Sequence, residues 1–219
     1  EQSKYYNTPY LYKDNGFVDK EKAQELVTFL SDPLPAQAVI EKIERKKETK
    51  NPPLLFNLAE IQNECAKQFK ISPDETLNII QELYEKKLVT YPRTDARVLS
   101  TAVAKVIDKN ITGLRNIPEY KEFVEEILAA KSYEGIAKTR YVNDKQITDH
   151  YAIVPTGQGF NNLKNLSATT KAVYYAIVRR FLSIFYPAAV YKKISISLRR
   201  NTESFFASFK VLEKEGYLK

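Results

Sequence analysis

The sequence predicts an α+β protein in which a mainly helical, winged-helix-like domain is inserted into a β-rich domain. Apolar and polar residues alternate near both ends of the chain, as in half-buried strands. Between these ends, apolar residues recur at spacings of three and four, as in amphipathic helices. The 219 residues, 43% of them hydrophobic, suffice for one large domain or two modest ones. We place the β-rich domain at 1–52 and 163–219 and the helical domain at 53–162.

The composition narrows the classes of partner. Lysines and arginines number 34 against 27 aspartates and glutamates, and the net charge of +7 favours a polyanion. No apolar stretch approaches the roughly 20 residues of a membrane helix, so we expect no membrane partner. One cysteine and one histidine exclude an internal disulfide and a Cys/His zinc framework. We expect a cytoplasmic protein. Because the first residue is Glu1 rather than Met, we expect a fragment of a longer chain or a processed chain.

The first fifty residues are predicted to form strands around one helix. A turn sequence, Asp-Asn-Gly at 14–16, follows an aromatic-rich start, and Asp19 can cap the helix. Residues 38–43 are predicted as a strand that leads into the charged segment 44–50. Two prolines, at 52 and 53, interrupt regular structure and mark the first domain boundary.

The middle of the chain is predicted to begin with two helices and an extended run. Asn57 can cap the first helix, and Ser72 followed by Pro73 is a capping-box start for the second. The extended run 88–91 comes next, so this part resembles a helix-turn-helix followed by a strand. Further helices are expected at 100–109 and 118–131.

The last third of the chain is predicted as loops, one long helix and two strands. Residues 133–165 lack a sustained period and contain three glycines, so we expect a loop-rich stretch. Ser167 can cap a long amphipathic helix that ends before Pro187. Two alternating runs, 190–198 and 205–211, predict the closing strands.

The densest polar cluster is Tyr-Pro-Arg-Thr-Asp at 91–95, where the extended run ends. A protonated tyrosine hydroxyl is a poor nucleophile, and phosphoryl chemistry on it needs a cation that stabilises the charged transition state. Arg93 offers a permanently charged fork for phosphate oxygens, and Thr94 and Asp95 add a donor and an acceptor. The alternative is a surface turn, with Tyr91 packed on its own domain and Arg93 in a salt bridge.

A second polar cluster, at 148–156, holds the single histidine, His150. Histidine can donate a hydrogen bond to a phosphate oxygen or move a proton. A lone histidine is equally compatible with an ordinary surface position. Its spacing alone therefore does not decide between a functional and a structural residue.

Four segments, in order along the chain, resemble landmarks of the type IA DNA topoisomerases, most closely the topoisomerase III branch. The string YEKKLVTYPRTD at 84–95 resembles the active-site tyrosine motif, and DHYAIVPT at 149–156 resembles the histidine motif. Residues 52–58 and 179–187 resemble the segment that leads into the tyrosine domain and the helix that follows it. The resemblance covers essentially the whole chain and departs from the family at Ala96, where a serine is usual.

The resemblance implies a role for each residue of the two clusters. Tyr91 would attack a phosphodiester of single-stranded DNA and hold a 5′-phosphotyrosyl link while another strand passes. Arg93 would stabilise the scissile phosphate, and His150 would contact a phosphate near it. Thr94 and Asp95 would position the cleaved strand or order the site.

The basic stretch 86–105 adds Lys87 and Arg97 as candidates for DNA binding. This stretch serves equally well the main alternative function, a winged-helix DNA-binding module without covalent chemistry. A tyrosine recombinase is a third alternative, and the order Tyr-Pro-Arg-Thr-Asp disfavours it.

The resemblance also implies a cofactor and a partner that lie outside these residues. The metal-binding domain of the family carries a Glu and an Asp-x-Asp-x-Asp cluster for Mg²⁺, and no Asp-x-Asp string occurs in this sequence. We therefore expect Mg²⁺ in the full-length enzyme but no metal site in this chain. The chain would be a tyrosine domain inserted in an arch domain. It would be inactive without the metal-binding domain of its parent chain and associated with DNA in a bacterial cytoplasm.

Overall fold

The structure is a computed structural model that describes residues 11–12 and 16–219. Two short strands, β1 (Leu11–Tyr12) and β2 (Gly16–Phe17), pair in antiparallel fashion. The first two positions of the predicted turn at 14–16, and the aromatic positions 5, 6 and 10, lie outside the described residues.

The chain divides into two compact units. The first comprises residues 1–50 and 190–214, and the second comprises 51–189 and 215–219. Mixed helix and sheet is therefore confirmed as the fold class. The predicted boundary at 163 needs a correction, because residues 163–189 lie in the helical unit. Their long helix buries its apolar side in the core of that unit.

The first unit contains one helix and a three-stranded sheet. The helix α1 spans Lys20–Ser31, and the Asp19 side chain caps it as predicted. The sheet has the order β3 (Val39–Lys50), β4 (Ala189–Arg200), β5 (Glu203–Lys214), and β4 and β5 are antiparallel. β3 continues through the charged segment 44–50, because charged side chains are compatible with a strand that is exposed along its length.

The second unit is mainly helical, and three of its helices begin at predicted caps. The helices are α2 (Leu58–Gln68), α3 (Pro73–Glu85), α4 (Thr101–Ala104), α5 (Ile107–Gly113), α6 (Lys121–Ala130) and α7 (Ala168–Ser183). The side chains of Asn57, Ser72 and Ser167 accept backbone N–H groups at the starts of α2, α3 and α7. The helix expected at 100–109 is broken into α4 and α5, because Val106 leaves the helical conformation between them.

The core of the second unit is centred on the packing of α3 against α7. Leu83 of α3 and Tyr174 and Phe181 of α7 are fully buried there. Cys65 of α2 lies in the same core, and its burial raises the pKa of the thiol to about 11. Cys65 is therefore a packing residue. None of the helices in the described part of the chain has the length and hydropathy of a membrane span.

The extended run 88–91 forms no regular strand. Val89 makes an isolated antiparallel bridge with Pro155, and another such bridge joins Phe56 to Ile153. These bridges connect the segment after α3 to the stretch 152–156, which the sequence analysis treated as part of a loop. They bring the two predicted polar clusters to one place.

Candidate active site around Tyr91

The Tyr91 side chain lies between two other rings. Its centroid is 4.3 Å from that of His150, with an interplanar angle of 38°. The Tyr84 ring meets it edge-on, with the centroids 5.5 Å apart and the planes at 84°. Tyr91 is partly exposed and His150 is exposed. The phenol is thus held on both sides and still accessible to a ligand.

Thr90, immediately before Tyr91, connects the loop that carries Tyr91 to the segment after His150. Its hydroxyl donates to the Ala152 carbonyl at 2.9 Å and accepts the Val154 amide at 3.0 Å. The Thr90 amide donates to the Val154 carbonyl at 3.0 Å. These three hydrogen bonds fix the register in which the two loops meet.

Thr94 makes the second connection, on the other side of Tyr91. Its hydroxyl donates to the His150 carbonyl at 2.8 Å and accepts the Ala96 amide at 3.1 Å, and the residue is only 7% exposed. A buried hydroxyl with both partners inside the protein has no surface to offer to DNA. Of the two roles predicted for Thr94, positioning the cleaved strand or ordering the site, these contacts favour the second.

Replacing Thr94 with valine should destabilise the second unit by about 1–3 kcal/mol, because it leaves the buried Ala96 amide and the part-buried His150 carbonyl without a partner. Urea unfolding followed by circular dichroism measures this loss. The control is Thr148→Val at an exposed position of the same segment, where a change within about 0.5 kcal/mol is expected. Equal effects of the two substitutions would show that the Thr94 hydroxyl holds nothing in place.

Arg93 and Asp95 are exposed on the turn that follows Tyr91. Within the described part of the chain, no hydrogen bond or ion pair engages the Arg93 guanidinium or the Asp95 carboxylate. The salt bridge that a simple surface turn would contain is therefore not formed between described residues. A guanidinium in this position is available to phosphate oxygens.

The two predicted DNA-binding residues outside the clusters differ from each other. Arg97 is half-buried, its Nε donates to the Leu55 carbonyl at 3.3 Å, and its Nη1 lies 3.1 Å from the Glu60 carboxylate. These internal partners give Arg97 a structural role, and its DNA contact stays a prediction. Lys87 is exposed, and no described carboxylate pairs with its ammonium group, so it stays a candidate.

Tyr84 is the neighbour of the site that the sequence analysis missed. The helical period placed it with the apolar side of α3, but it is 39% exposed and packs on Tyr91. Two features of the sequence indicated that Tyr84 lies near the site. It is the first residue of the string 84–95, and it follows the buried Leu83, so its ring lies at the edge of the core.

The sequence model of the DNA topoisomerase family matches residues 2–219. The chain belongs to this family. DNA topoisomerase 3 of Bacillus subtilis is 35% identical over 184 residues, which are 83% of this chain and 24% of that protein. DNA topoisomerase 3 of Bacillus cereus is 30% identical over 200 residues, 91% of this chain and 26% of the relative. The resemblance to type IA topoisomerases, closest to the topoisomerase III branch, is thereby confirmed.

The fold of this topoisomerase chain is also found in a solved structure. Full-length topoisomerase I from Thermotoga maritima matches it with a TM-score of 0.61 at 24% sequence identity, covering 94% of this chain and 32% of that chain. The likeness shows a shared fold. The chain spans about a quarter of the length of the curated relatives it matches.

The topoisomerase family implies Mg²⁺, and the described residues do not fit such an ion. Among residues 16–219, no group of three or more histidine, cysteine, aspartate or glutamate side chains could hold a metal. Asp95 and Asp149, the carboxylates beside Arg93 and His150 in sequence, form no such group. That the chain lacks a Mg²⁺ site altogether stays a prediction.

Proposed function

We propose that this chain carries the nucleophile of a longer type IA topoisomerase that cleaves and rejoins single-stranded DNA. The Tyr91 oxygen attacks the phosphorus of a phosphodiester, and the phenol proton is lost. The 3′-oxygen of the preceding nucleotide leaves and takes up a proton. A 5′-phosphotyrosyl link results, and attack of the same 3′-hydroxyl on it restores the strand and the phenol.

The observation that carries the proposal is the contact of the Tyr91 ring with the His150 ring at 4.3 Å. Because both side chains reach solvent, one phosphate can meet the Tyr91 hydroxyl and the His150 imidazole together. Arg93 supplies a charged fork for the non-bridging oxygens, where negative charge develops in the transition state. His150 donates to a phosphate oxygen beside it. Asp95 and Lys87 contact the bound strand.

The domain roles follow from the same proposal. The second unit is the tyrosine domain and the first is the arch domain. Helices α2 and α3 follow each other in the chain and pack together, and the extended residues 88–91 come directly after them. This order supports a winged-helix-like arrangement. The partner is the metal-binding domain of the parent chain, whose Mg²⁺ would supply positive charge to the DNA phosphate. Because the relatives are bacterial, the protein acts on DNA in a bacterial cytoplasm.

Mapping the covalent adduct tests the proposal. The parent protein is mixed with a single-stranded oligonucleotide, denatured, and digested with trypsin and nuclease. Cleavage after Lys87 and after Arg93 releases the peptide 88–93, in which Tyr91 is the only tyrosine. A nucleotide mass on that tyrosine is expected. An adduct on a different peptide, or no adduct under conditions in which the parent protein changes DNA topology, contradicts the proposal.

A further inference from the structure

The sheet of the first unit has two chemically different faces. In an antiparallel pair, residues directly opposite each other share a face. One face carries three apolar pairs between β4 and β5: Ile194 with Phe209, Ile196 with Ala207, and Leu198 with Phe205. We call it the apolar face.

The opposite face is polar and is called the serine face below. It carries Lys193 opposite Lys210, Ser195 opposite Ser208, and Ser197 opposite Phe206. Glu48 of β3 pairs with Lys210 at 2.6 Å, which places a carboxylate at one end of this face. The centre of the face is therefore three hydroxyls around one aromatic ring.

Phe206 is the unusual residue of the serine face. It is 80% exposed, more than any other large hydrophobic side chain in the described part of the chain. The residues opposite and beside it on its face are serines, so it packs into no apolar cluster there. It lines a cavity of about 340 Å³ together with the Lys42–Glu44 ion pair, with Ser195, Ser197 and Ser208, and with the intervening strand residues Ile196 and Ala207. An exposed aromatic ring in a polar setting is typical of a stacking surface.

The charge of the sheet indicates the kind of molecule that would stack. Strands β3, β4 and β5 carry eleven lysines and arginines against five glutamates. Because side chains alternate along a strand, Lys50 and Lys193 share the serine face with Glu48 and Lys210, and neither of these two forms a salt bridge with a described residue. A sheet with net positive charge that also carries an exposed ring and hydroxyl groups complements phosphates, sugars and bases.

We propose that the serine face binds single-stranded nucleic acid, with a base stacked on Phe206. The serine hydroxyls bond to the base edge or the sugar, and Lys193 and Lys50 contact phosphates along the bound strand. A single strand is required, because in a duplex both faces of each base are already covered by stacking. The site lies in the first unit and holds DNA without reacting with it, so it goes beyond the cleavage chemistry of Tyr91.

A tryptophan placed at the proposed site reports on stacking directly, because the chain contains no tryptophan of its own. In the 219-residue chain, Phe206→Trp fluorescence should be quenched by a twelve-residue oligothymidylate, and the quenching should weaken with added salt. The matched control is Phe205→Trp, at the preceding residue of the strand. Phe205 lies on the apolar face and is 43% exposed. The tryptophan there should not be quenched. Phe206→Ala should weaken binding of the same oligonucleotide about fivefold or more.

Several results would overturn the proposal. The first is equal quenching of the tryptophans at positions 205 and 206. The second is unquenched fluorescence at position 206 while anisotropy shows that the oligonucleotide is bound. The third is that the chain does not bind the oligonucleotide. If Phe206→Ala alters the sedimentation of the chain but leaves its affinity for the oligonucleotide unchanged, the serine face is a protein contact instead. Covalent capture by Tyr91 in the parent protein is measured separately, so either proposal can fail alone.

Discussion

Phenylalanine in place of Tyr91 is expected to abolish covalent capture of single-stranded DNA and to leave DNA affinity nearly unchanged. The substitution removes one oxygen, which is the nucleophile, and keeps the ring that contacts His150 and Tyr84. Loss of a nucleophile costs on the order of 10⁴-fold or more in other covalent enzymes. Adduct yield after denaturation measures capture, and fluorescence anisotropy with a labelled oligonucleotide measures affinity.

The control for Tyr91→Phe is Tyr133→Phe, which removes the same oxygen from a partly buried tyrosine elsewhere in the second unit. Capture should persist in this variant. A DNA-binding module without covalent chemistry would show no covalent capture in the unsubstituted protein. Its affinity for DNA would be equal in the unsubstituted protein, Tyr91→Phe and Tyr133→Phe. Adduct formation that survives Tyr91→Phe would assign the nucleophile to another residue.

The candidate residues of the site could be identified from the sequence, but the hydrogen bonds and salt bridges that hold the site together could not. The two motifs select Tyr91 and His150, whose rings are in contact in the structure, because the chemistry of a motif is contained in its residue types. The roles of Thr90 and Thr94 depend on carbonyls and amides in a segment far away in sequence. The internal partners of Arg97 could not be predicted for the same reason, since nothing near it in sequence shows that it pairs with Glu60.

The fold divides in the same way into local and long-range features. The caps at Asn57, Ser72 and Ser167 act over three residues, and the helices that they begin are where the sequence places them. Whether 88–91 is a strand depends on its partner around Pro155, and that partner forms only a bridge. The boundary at 163 was wrong because the side on which α7 packs is a property of the core.

Alanine in place of Gly113 is expected to destabilise the second unit, although helix propensity alone predicts the opposite. Gly113 is the last residue of α5 and has helical φ and ψ, so alanine is favoured over glycine there by at most about 0.5–1 kcal/mol, the preference in a helix interior. A Cβ there would lie 2.0 Å from the Gly157 carbonyl oxygen and 2.6 Å from its carbonyl carbon and Cα. These are backbone atoms that cannot rotate away, so the cost reaches the upper end of overpacking, about 3 kcal/mol. The expected net loss is about 2 kcal/mol, measured by urea unfolding.

Thr112→Ala, at the exposed preceding position of α5, separates the two effects because it changes propensity without a clash. It should leave stability unchanged or raise it slightly. Gly157 directly follows the stretch 152–156 that Thr90 holds, so displacing it should also lower covalent capture at Tyr91. If Gly113→Ala instead raised the urea midpoint and left capture intact, the Gly157 loop would be free to move. The close approach of α5 to that loop would then contribute nothing to holding His150 against Tyr91.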